Sequence, residues 1–543
     1  MTAARAIGTA LARLGVRFVF GVVGSGNFHV TNALVAAGAR FVAARHEGGA
    51  ATMADAYSRM SGTVAALTVH QGCGLTNAMT GIAEAAKSRT PMLVLAADVT
   101  ERRSNFYVDQ DALADAVGAL VMRVECGDDA VAAAVRAYHL ARDDRRTVVL
   151  NLPLAVQAAQ ARQATVSEQP RPAEPQPDGA GLARLVDALT HAQRPVFIAG
   201  RGARAAGARE ALLELGDACG ALVATSAVAK GLFHGSPWSL DVSGGFASPL
   251  AAQLIRDADV VVGWGCALNM WTTRHGNLIG PDAAVVQVDL DPDALGAQRP
   301  IAFGVVGGVT ATARAATMAI GVARTGYRSE QIRAGIQERI RWRAVEYEDT
   351  STPERIDPRT LTIALDDMLP AERVIGVDSG NFMGYPSMFL SVPDEYGFCF
   401  TQAFQSIGLG LSTAIGAGLA QPDRLPVAAL GDGGALMSIA ELDTVRRLGL
   451  PMVVIVYNDD AYGAEVHHFG PDGFDLSTVR FPPTDIAAIA RGFGFEAVSV
   501  SRVDDLTAVR AWLDGARDRP LLVDAKVTAD RGSWWLEEAF RGH

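Results

Sequence analysis

Apolar positions in this chain follow two alternating patterns. Short unbroken runs such as RFVFGVV, PMLVLAA and LPVAAL are separated by longer, alanine-rich stretches in which apolar residues recur every third or fourth position. An unbroken run has no polar face to turn toward water, so it reads as a strand buried on both sides, and the longer stretches read as covering helices. Strand and helix in alternation give parallel sheets with right-handed crossovers, an α/β architecture of doubly wound sheets. Three such blocks follow one another. The first holds RFVFGVV, FVAAR, TVAALTVH, PMLVLAA and TVVLNLP; the second PVFIAG, ALVATS, ADVVVGWG and AVVQVDLDP; the third RVIGVDSG, LPVAALGDGG, PMVVIVYND and PLLVDAKV. The domains expected from them span residues 1–163, 180–325 and 356–543. A Pro-rich segment, EQPRPAEPQPDG, separates the first two and reads as an extended linker. The charged segment RSEQIRAGIQERIRWRAVEYED, before the third, reads as a surface helix and connector.

Composition supports three domains of ~150 to 200 residues, since the chain has 543 residues of which 49% are apolar. A net charge of −11 argues against a nucleic-acid partner. No apolar run reaches the ~18 residues of a membrane span. The opening MTAARAIGTALARLG carries charges inside its apolar pattern and reads as an amphipathic helix, not a signal peptide. Cys73, Cys126, Cys219, Cys266 and Cys399 show no metal-ligand or C-x-x-C spacing, so a reducing, cytoplasmic setting is expected.

Chemistry enters with one spacing. Twenty-four residues separate the turn Gly431-Asp432-Gly433, at the end of LPVAAL, from Asn458, at the end of PMVVIVY. If SIAELDTVRRLGL between them is a crossover helix, both motif residues lie at the carboxyl ends of neighbouring strands, where open α/β sheets bind ligands. The Asp432 carboxylate, the Asn458 amide oxygen and a free main-chain carbonyl after it suit Mg²⁺ carrying a diphosphate. Gly433 and Gly434 let phosphate oxygens approach backbone N–H groups. Taken alone, the triplet is more often only a tight turn.

This strand, GDG, helix, strand and Asn unit resembles the metal-diphosphate motif of thiamine diphosphate enzymes, continuing as Asn458-Asp459-Asp460-Ala461-Tyr462-Gly463 with Asp460 in the position that gives its carbonyl to the metal. A second motif lies nearly 400 residues upstream: Arg45-His46-Glu47-Gly48-Gly49-Ala50, continuing through Ala54, Tyr57, Ser58 and Arg59, is similar to the family's R-H-E-x-x-A pattern. A glutamate in the first turn of a helix otherwise just suits the helix dipole, but two motifs in the right order are together specific. In order, the three blocks resemble the pyrimidine-binding, central and diphosphate-binding domains of the acetolactate synthase and benzoylformate decarboxylase group. The resemblance implies that Glu47 hydrogen-bonds N1′ of the cofactor pyrimidine in a site with little water and so makes the activating imino tautomer accessible. It further implies that Ile407, otherwise an ordinary core residue, is the apolar wedge that bends the cofactor. Asn77, Gly380, Asn381 and Gln405 join the motif residues Gly431 to Gly434, Asn458 and Asp460 to Gly463 as cofactor contacts. Such enzymes bind the cofactor between the first domain of one subunit and the last of another, which implies a homodimer or homotetramer.

Four further residues bear on the reaction through the same resemblance. His70 and Ser25 match an active-site histidine and serine of benzoylformate decarboxylase, and Glu465 matches a proton-handling glutamate of pyruvate decarboxylases. Gln110 lies where acetolactate synthase and benzaldehyde lyase carry a glutamine suited to carboligation. Plain alternatives are a strand-capping His70, a turn-forming Ser25 and a solvated Glu465. His29, His467 and His468 hint at a polar pocket without a metal-binding arrangement. Arg274 sits where acetolactate synthases place an arginine near substrate and flavin, but two threonines replace the usual acidic pair, and Gly200-Arg201-Gly202 is a weak signal, so both count against FAD. The expected activity is decarboxylation of a 2-oxo acid followed by ligation of the acyl carbanion equivalent to a second carbonyl, as in acetolactate synthase. The alternative is a simple decarboxylase releasing an aldehyde. A flavin-dependent oxidase on the same scaffold is a separate class.

Overall fold

The computed structural model describes residues 1–162, 166 and 169–539. Every unbroken apolar run forms a strand. The first sheet contains β1 (Phe18–Gly21), β2 (Arg40–Ala43), β3 (Ala65–Val69), β4 (Met92–Asp98), β5 (Leu120–Arg123) and β6 (Thr147–Pro153). The second contains β7 (Pro195–Ala199), β8 (Leu222–Thr225), β9 (Ser239–Val242), β10 (Val260–Trp264), β11 (Ala284–Asp289) and β12 (Phe303–Val306). The third contains β13 (Arg373–Val377), β14 (Phe398–Phe400), β15 (Leu425–Gly431), β16 (Val453–Asn458), β17 (Glu496–Val500) and β18 (Leu521–Lys526). All three sheets are parallel and six-stranded, in the orders β2-β1-β3-β4-β6-β5, β12-β11-β10-β7-β8-β9 and β14-β13-β15-β16-β18-β17. No helix among the described residues is long and apolar enough to cross a membrane.

Five strands escaped the sequence pattern: β5, β9, β12, β14 and β17. Each is the edge strand of its sheet. The chain between β15 and β16 also differs from the single crossover helix expected. It forms a short helix (Asp432–Met437), a 3-10 turn (Ile439–Glu441) and a second helix (Leu442–Leu448). Ser438 marks the break: its hydroxyl bonds the Gly434 carbonyl at 2.9 Å, a side-chain bond that competes with helix continuation. The linker forms no regular element from residue 169 to Asp178, where the helix Gly179–His191 begins. Glu168, at its start, lies outside the described residues, as do residues 163 and 540–543 of the expected domain ranges.

The first and third domains share a core. One apolar cluster runs from Phe20, Leu67 and Val94 of the first sheet through Met53 and Ala54 to Leu411 and Ile415, and on to Leu430 and Val454 of the third. Helix Glu47–Ser61 therefore packs directly on helix Gly410–Ala420. The approach is close enough that a Cβ at Gly416 would stand 2.3 Å from the Met53 carbonyl oxygen. The central domain has its own cores on the two faces of its sheet.

Candidate active site

In the first sheet β1 has β2 on one side and β3 on the other, so the chain reverses direction across the sheet there. Ser25 and His70 lie just beyond the carboxyl ends of β1 and β3. Ser25 Oγ and His70 Nε2 are 3.3 Å apart, and His70 Nδ1 is 3.1 Å from the Gln71 carbonyl oxygen. Asn27, fully buried, fixes the serine loop by accepting the Gly24 N–H and donating to the Val22 carbonyl and the Thr68 hydroxyl. Glu47 opens helix Glu47–Ser61, capped by His46, whose Nδ1 accepts the Gly48 N–H at 3.0 Å. The Glu47 carboxylate is part-exposed and accepts a bond from Asn77 Nδ2 at 3.1 Å. His29 is exposed on the helix that follows Asn27.

Gln110 is placed otherwise than a free active-site amide. It is 2% exposed; its Oε1 accepts the Gly72 N–H at 3.0 Å, and its Nε2 donates to the Ala97 carbonyl at 3.1 Å and to Asn151 Oδ1 at 2.8 Å. Its oxygen and both amide hydrogens are thus engaged in tying three segments together.

In the third sheet the reversal lies between β13 and β15. Asp432 follows β15 at the start of its short helix and is 7% exposed; Asn458 ends β16 and is fully buried. Asn458 Oδ1 accepts the Asp460 N–H at 3.2 Å, and its Nδ2 donates to Asp524 at 2.9 Å, so the amide oxygen faces the following turn. Asp460 has φ of +57°, the left-handed conformation that non-glycine residues rarely adopt, and Arg355 holds its carboxylate at 2.6 Å. Ala461 is buried, and the Tyr462 ring lies against Gly433, where a Cβ would stand 2.6 Å from it. Gly463 begins the helix Gly463–Phe469, on which Glu465 is exposed. On the same helix His467 is half-buried, and burial pushes its imidazole below the ordinary range.

The electrostatics of this cluster fit a cation. Burial raises Asp432 to about 6, with the charge of Asp460 adding to the shift, and burial together with neighbouring Asp432 raises Asp459 to about 8. Two carboxyl groups in contact would suit a divalent ion at Asp432, with the Asn458 oxygen and the Asp460 carbonyl as partners. No grouping of three or more His, Cys, Asp or Glu side chains suited to a metal occurs among the described residues.

Sequence patterns missed the residue that shapes the neighbouring loop. Asp378, fully buried after β13, accepts the Ser379 N–H at 2.8 Å, the Gly408 N–H at 2.9 Å and the Leu409 N–H at 3.2 Å. Burial outweighs these bonds and raises its carboxyl to about 6. The loop so pinned carries Gln405, exposed with φ of +58°, and Ile407, which is 37% exposed and therefore not a core residue. Glu84 of the first domain grips the same loop from behind, accepting the Ala403 and Phe404 N–H groups at 3.0 and 2.6 Å. Gly380 has φ of +132°, and Asn381 beside it is covered by the chain end: Ser533 N–H bonds its Oδ1, while Ser533 Oγ and Trp535 Nε1 bond its carbonyl. Arg355, Asp378 and Ser533 belong to no short motif, and only the fold brings them here.

A cavity of about 800 Å³ extends from the carboxyl ends of the central strands to Ser379, Gln405 and Trp535. Arg201, Arg274 and His275 are among its lining residues. Burial lowers the Arg201 guanidinium to about 9. Arg274 is held by the Gly244 and Ala247 carbonyls at 3.2 and 3.1 Å and lies over the Trp534 ring. Among the described residues no hydrogen bond joins the group Ser25, Glu47, His70 and Asn77 to the third-domain group around Asp432.

Comparison with known proteins matches this division of labour. Residues 1–119 match the thiamine pyrophosphate enzyme N-terminal TPP binding domain, residues 182–316 the central domain and residues 378–525 the C-terminal TPP binding domain. The chain is 29% identical to a sulfoacetaldehyde acetyltransferase of Rhodobacter capsulatus over 99% of this chain and 96% of the relative. It is 27% identical to an acetolactate synthase large subunit of Parasynechococcus marenigrum over 92% of this chain and 84% of the relative. It is 28% identical to a probable 2-ketoarginine decarboxylase of Pseudomonas aeruginosa over 93% of this chain and 90% of the relative. With three parallel-sheet domains that match the three family domains in order, the chain belongs to the thiamine diphosphate-dependent 2-oxo acid decarboxylase and carboligase family of enzymes.

Proposed function

We propose that this enzyme uses thiamine diphosphate and Mg²⁺ to decarboxylate a 2-oxo acid and pass the acyl unit to a second carbonyl compound. The observation that carries the reading is the donor set of buried Asp432 and Asn458 and part-buried Asp460 beside the reversal point of the third sheet, matched by Glu47 on a helix start of the first domain. When bound, the cofactor supplies a nucleophilic carbon and an electron sink for the departing carboxylate. Asp432, Asn458 and the Asp460 carbonyl would hold the metal, and the N–H groups at Gly433 and Gly434 would bind the diphosphate. Ile407 would pack against the cofactor, and Glu47 would hydrogen-bond its pyrimidine. Ser25 and His70 form a relay able to hand a proton to the substrate side. The part-exposed Glu47 and the lack of a bond between the two groups within one chain support assembly of each site from two copies, in a homodimer or homotetramer. Five free cysteines support a reducing, cytoplasmic setting, and the replaced acidic pair near Arg274 supports function without FAD.

A second reading, a simple decarboxylase releasing an aldehyde, is favoured by the Ser25–His70 pair and by the engagement of Gln110 in structural bonds. The deciding experiment is a panel of 2-oxo acids with thiamine diphosphate and Mg²⁺, followed by CO₂ release and by NMR of the products with and without an acceptor. Hydroxy-ketone products establish ligation, and aldehyde alone establishes the second reading. Turnover of sulfoacetaldehyde without turnover of any 2-oxo acid would replace both with a reaction on the compound for which the Rhodobacter relative is named.

A further inference from the structure

We propose that Glu441 is the positioning residue for Glu47, fixing through two backbone hydrogen bonds the turn that aims it. The inference rests on the role given to Glu47 above. Glu47 is the first residue of its helix, so its direction is set by residues 43–46 just before it. That turn takes its partners from the third domain. Glu441 Oε1 accepts the Arg45 N–H at 2.9 Å and the His46 N–H at 3.0 Å, while the Thr444 hydroxyl holds Oε2 at 2.6 Å. Arg447 donates to the Ala43 carbonyl at 2.6 Å, and Asp443 binds Arg45 Nε at 2.5 Å.

Glu441 is 2% exposed, and a carboxylate so buried is costly unless its oxygens are bonded. The N–H groups of a turn likewise need acceptors. Each satisfies the other here, which fixes the turn more firmly than solvent would. Gly49 belongs to the same device. A Cβ there would stand 2.6 Å from Glu441 Oε1, so a glycine in the second turn position after Glu47 leaves the carboxylate its place. The segment that carries Glu441 follows directly on the short helix of Asp432, so one piece of chain serves both the metal ligand and the aim of the distant carboxylate.

The test measures the rate at which the C2 hydrogen of bound thiamine diphosphate exchanges with D₂O, by acid quench and proton NMR. Cofactor Kd and the Tm of cofactor-free protein are measured alongside, for wild type, Glu47→Gln, Glu441→Ala, Glu441→Gln and Gly49→Ala. Misplacing a reacting group by about 1 Å costs up to about 10²-fold, so Glu441→Ala is expected to slow exchange by about 10- to 10²-fold with cofactor Kd little changed. Glu441→Gln, whose amide oxygen still accepts both N–H groups, restores most of the rate. Gly49→Ala displaces the carboxylate without removing it and reproduces the defect, which keeps the test open if Glu441→Ala folds poorly. Exchange at the wild-type rate in folded Glu441→Ala or Gly49→Ala, with Glu47→Gln slow, overturns the inference, even if Tm falls. Wild-type exchange in Glu47→Gln overturns instead the role of Glu47 on which it rests.

Discussion

At the scale of single residues, what decides a role is which atoms remain free to act. His70 and Ser25 face each other at a sheet reversal, whereas Gln110 has no spare hydrogen-bonding atom in its three-segment tie. Substituting Gln110 by Ala leaves a buried N–H and two acceptors without partners, each costing about 1–3 kcal/mol. The variant should therefore melt several degrees lower, with ligation and aldehyde release reduced in the same ratio. His70→Ala should instead leave Tm near wild type and suppress aldehyde release more than ligation to an added acceptor; equal suppression would remove it from proton transfer. Replacing Asp432 by Ala should abolish the rise in Tm that cofactor and Mg²⁺ produce, about 2.7 kcal/mol at a hundredfold excess over Kd, and calorimetry reads this without turnover. The places of Glu47 at a helix start and of Asp432 and Asn458 at strand ends were legible in the sequence because each sits in a motif whose spacing is set by one crossover or one helix turn. The partners of Gln110, Asp378 and Glu441 were not. They include the N–H groups of Gly72, Gly408, Leu409, Arg45 and His46, the Ala97 carbonyl and the Asn151 side chain, and no local pattern encodes which distant group will need a partner.

At the scale of elements, legibility follows burial. The interior strands β3, β4, β7, β10 and β13 are buried at every position, which is why they read as unbroken apolar runs. The edge strand β5 has no fully buried residue, and β17 has one. With one side open, such strands need no continuous apolar run, and their sequences resemble the loops around them. The connector before the third domain was legible as a charged helix, yet not its attachment. Arg341 reaches Asp366 at 3.0 Å, and Asp366 also accepts the Ser391 N–H at 2.8 Å and pairs with buried Arg373. Burial alone would raise the Asp366 carboxyl, but the Ser391 bonds and both guanidinium groups hold it below the usual range. A folded pKa below the unfolded one means stability that is present above the unfolded value, about 3.9, and is lost as pH falls through the folded value. Asp366→Asn should therefore lower stability at pH 7 by about 3 kcal/mol, the low end for breaking a buried pair. The loss should shrink as pH falls below about 4. A pH-independent difference in urea midpoints would show that the Asp366 charge contributes nothing.

At the scale of the whole molecule, the first and third domains are joined within one chain by a common core, yet the groups proposed for catalysis are not joined. Helix Glu47–Ser61 lies against helix Gly410–Ala420, Glu84 grips a third-domain loop and Glu441 a first-domain turn, so the two domains are held as one body. Among their site residues Ser25 and Gln405 nonetheless remain exposed and Glu47 part-exposed. The same loops and helices carry exposed apolar side chains: Val23 and Phe28 beside Ser25, Phe106 beside His70, Phe404 and Ile407 in the pinned loop, and Leu436 and Met437 after Asp432. Apolar residues gathered around polar site groups mark surface meant to be covered. In the homodimer proposed above, a second copy related by a two-fold axis would cover both sets at once, with the first domain of each chain set against the third domain of the other. The arrangement can be tested by complementation. A chain bearing Glu47→Gln and a chain bearing Asp432→Ala are each inactive alone. In a mixed dimer with shared sites, one site receives both defects and the other receives intact Glu47 from one chain and intact Asp432 from its partner. Random pairing of equal amounts should therefore recover about a quarter of wild-type activity. If each site is instead built within a single chain, every site in the mixture carries a defect and no activity returns, whatever light scattering reports for the size of the particle.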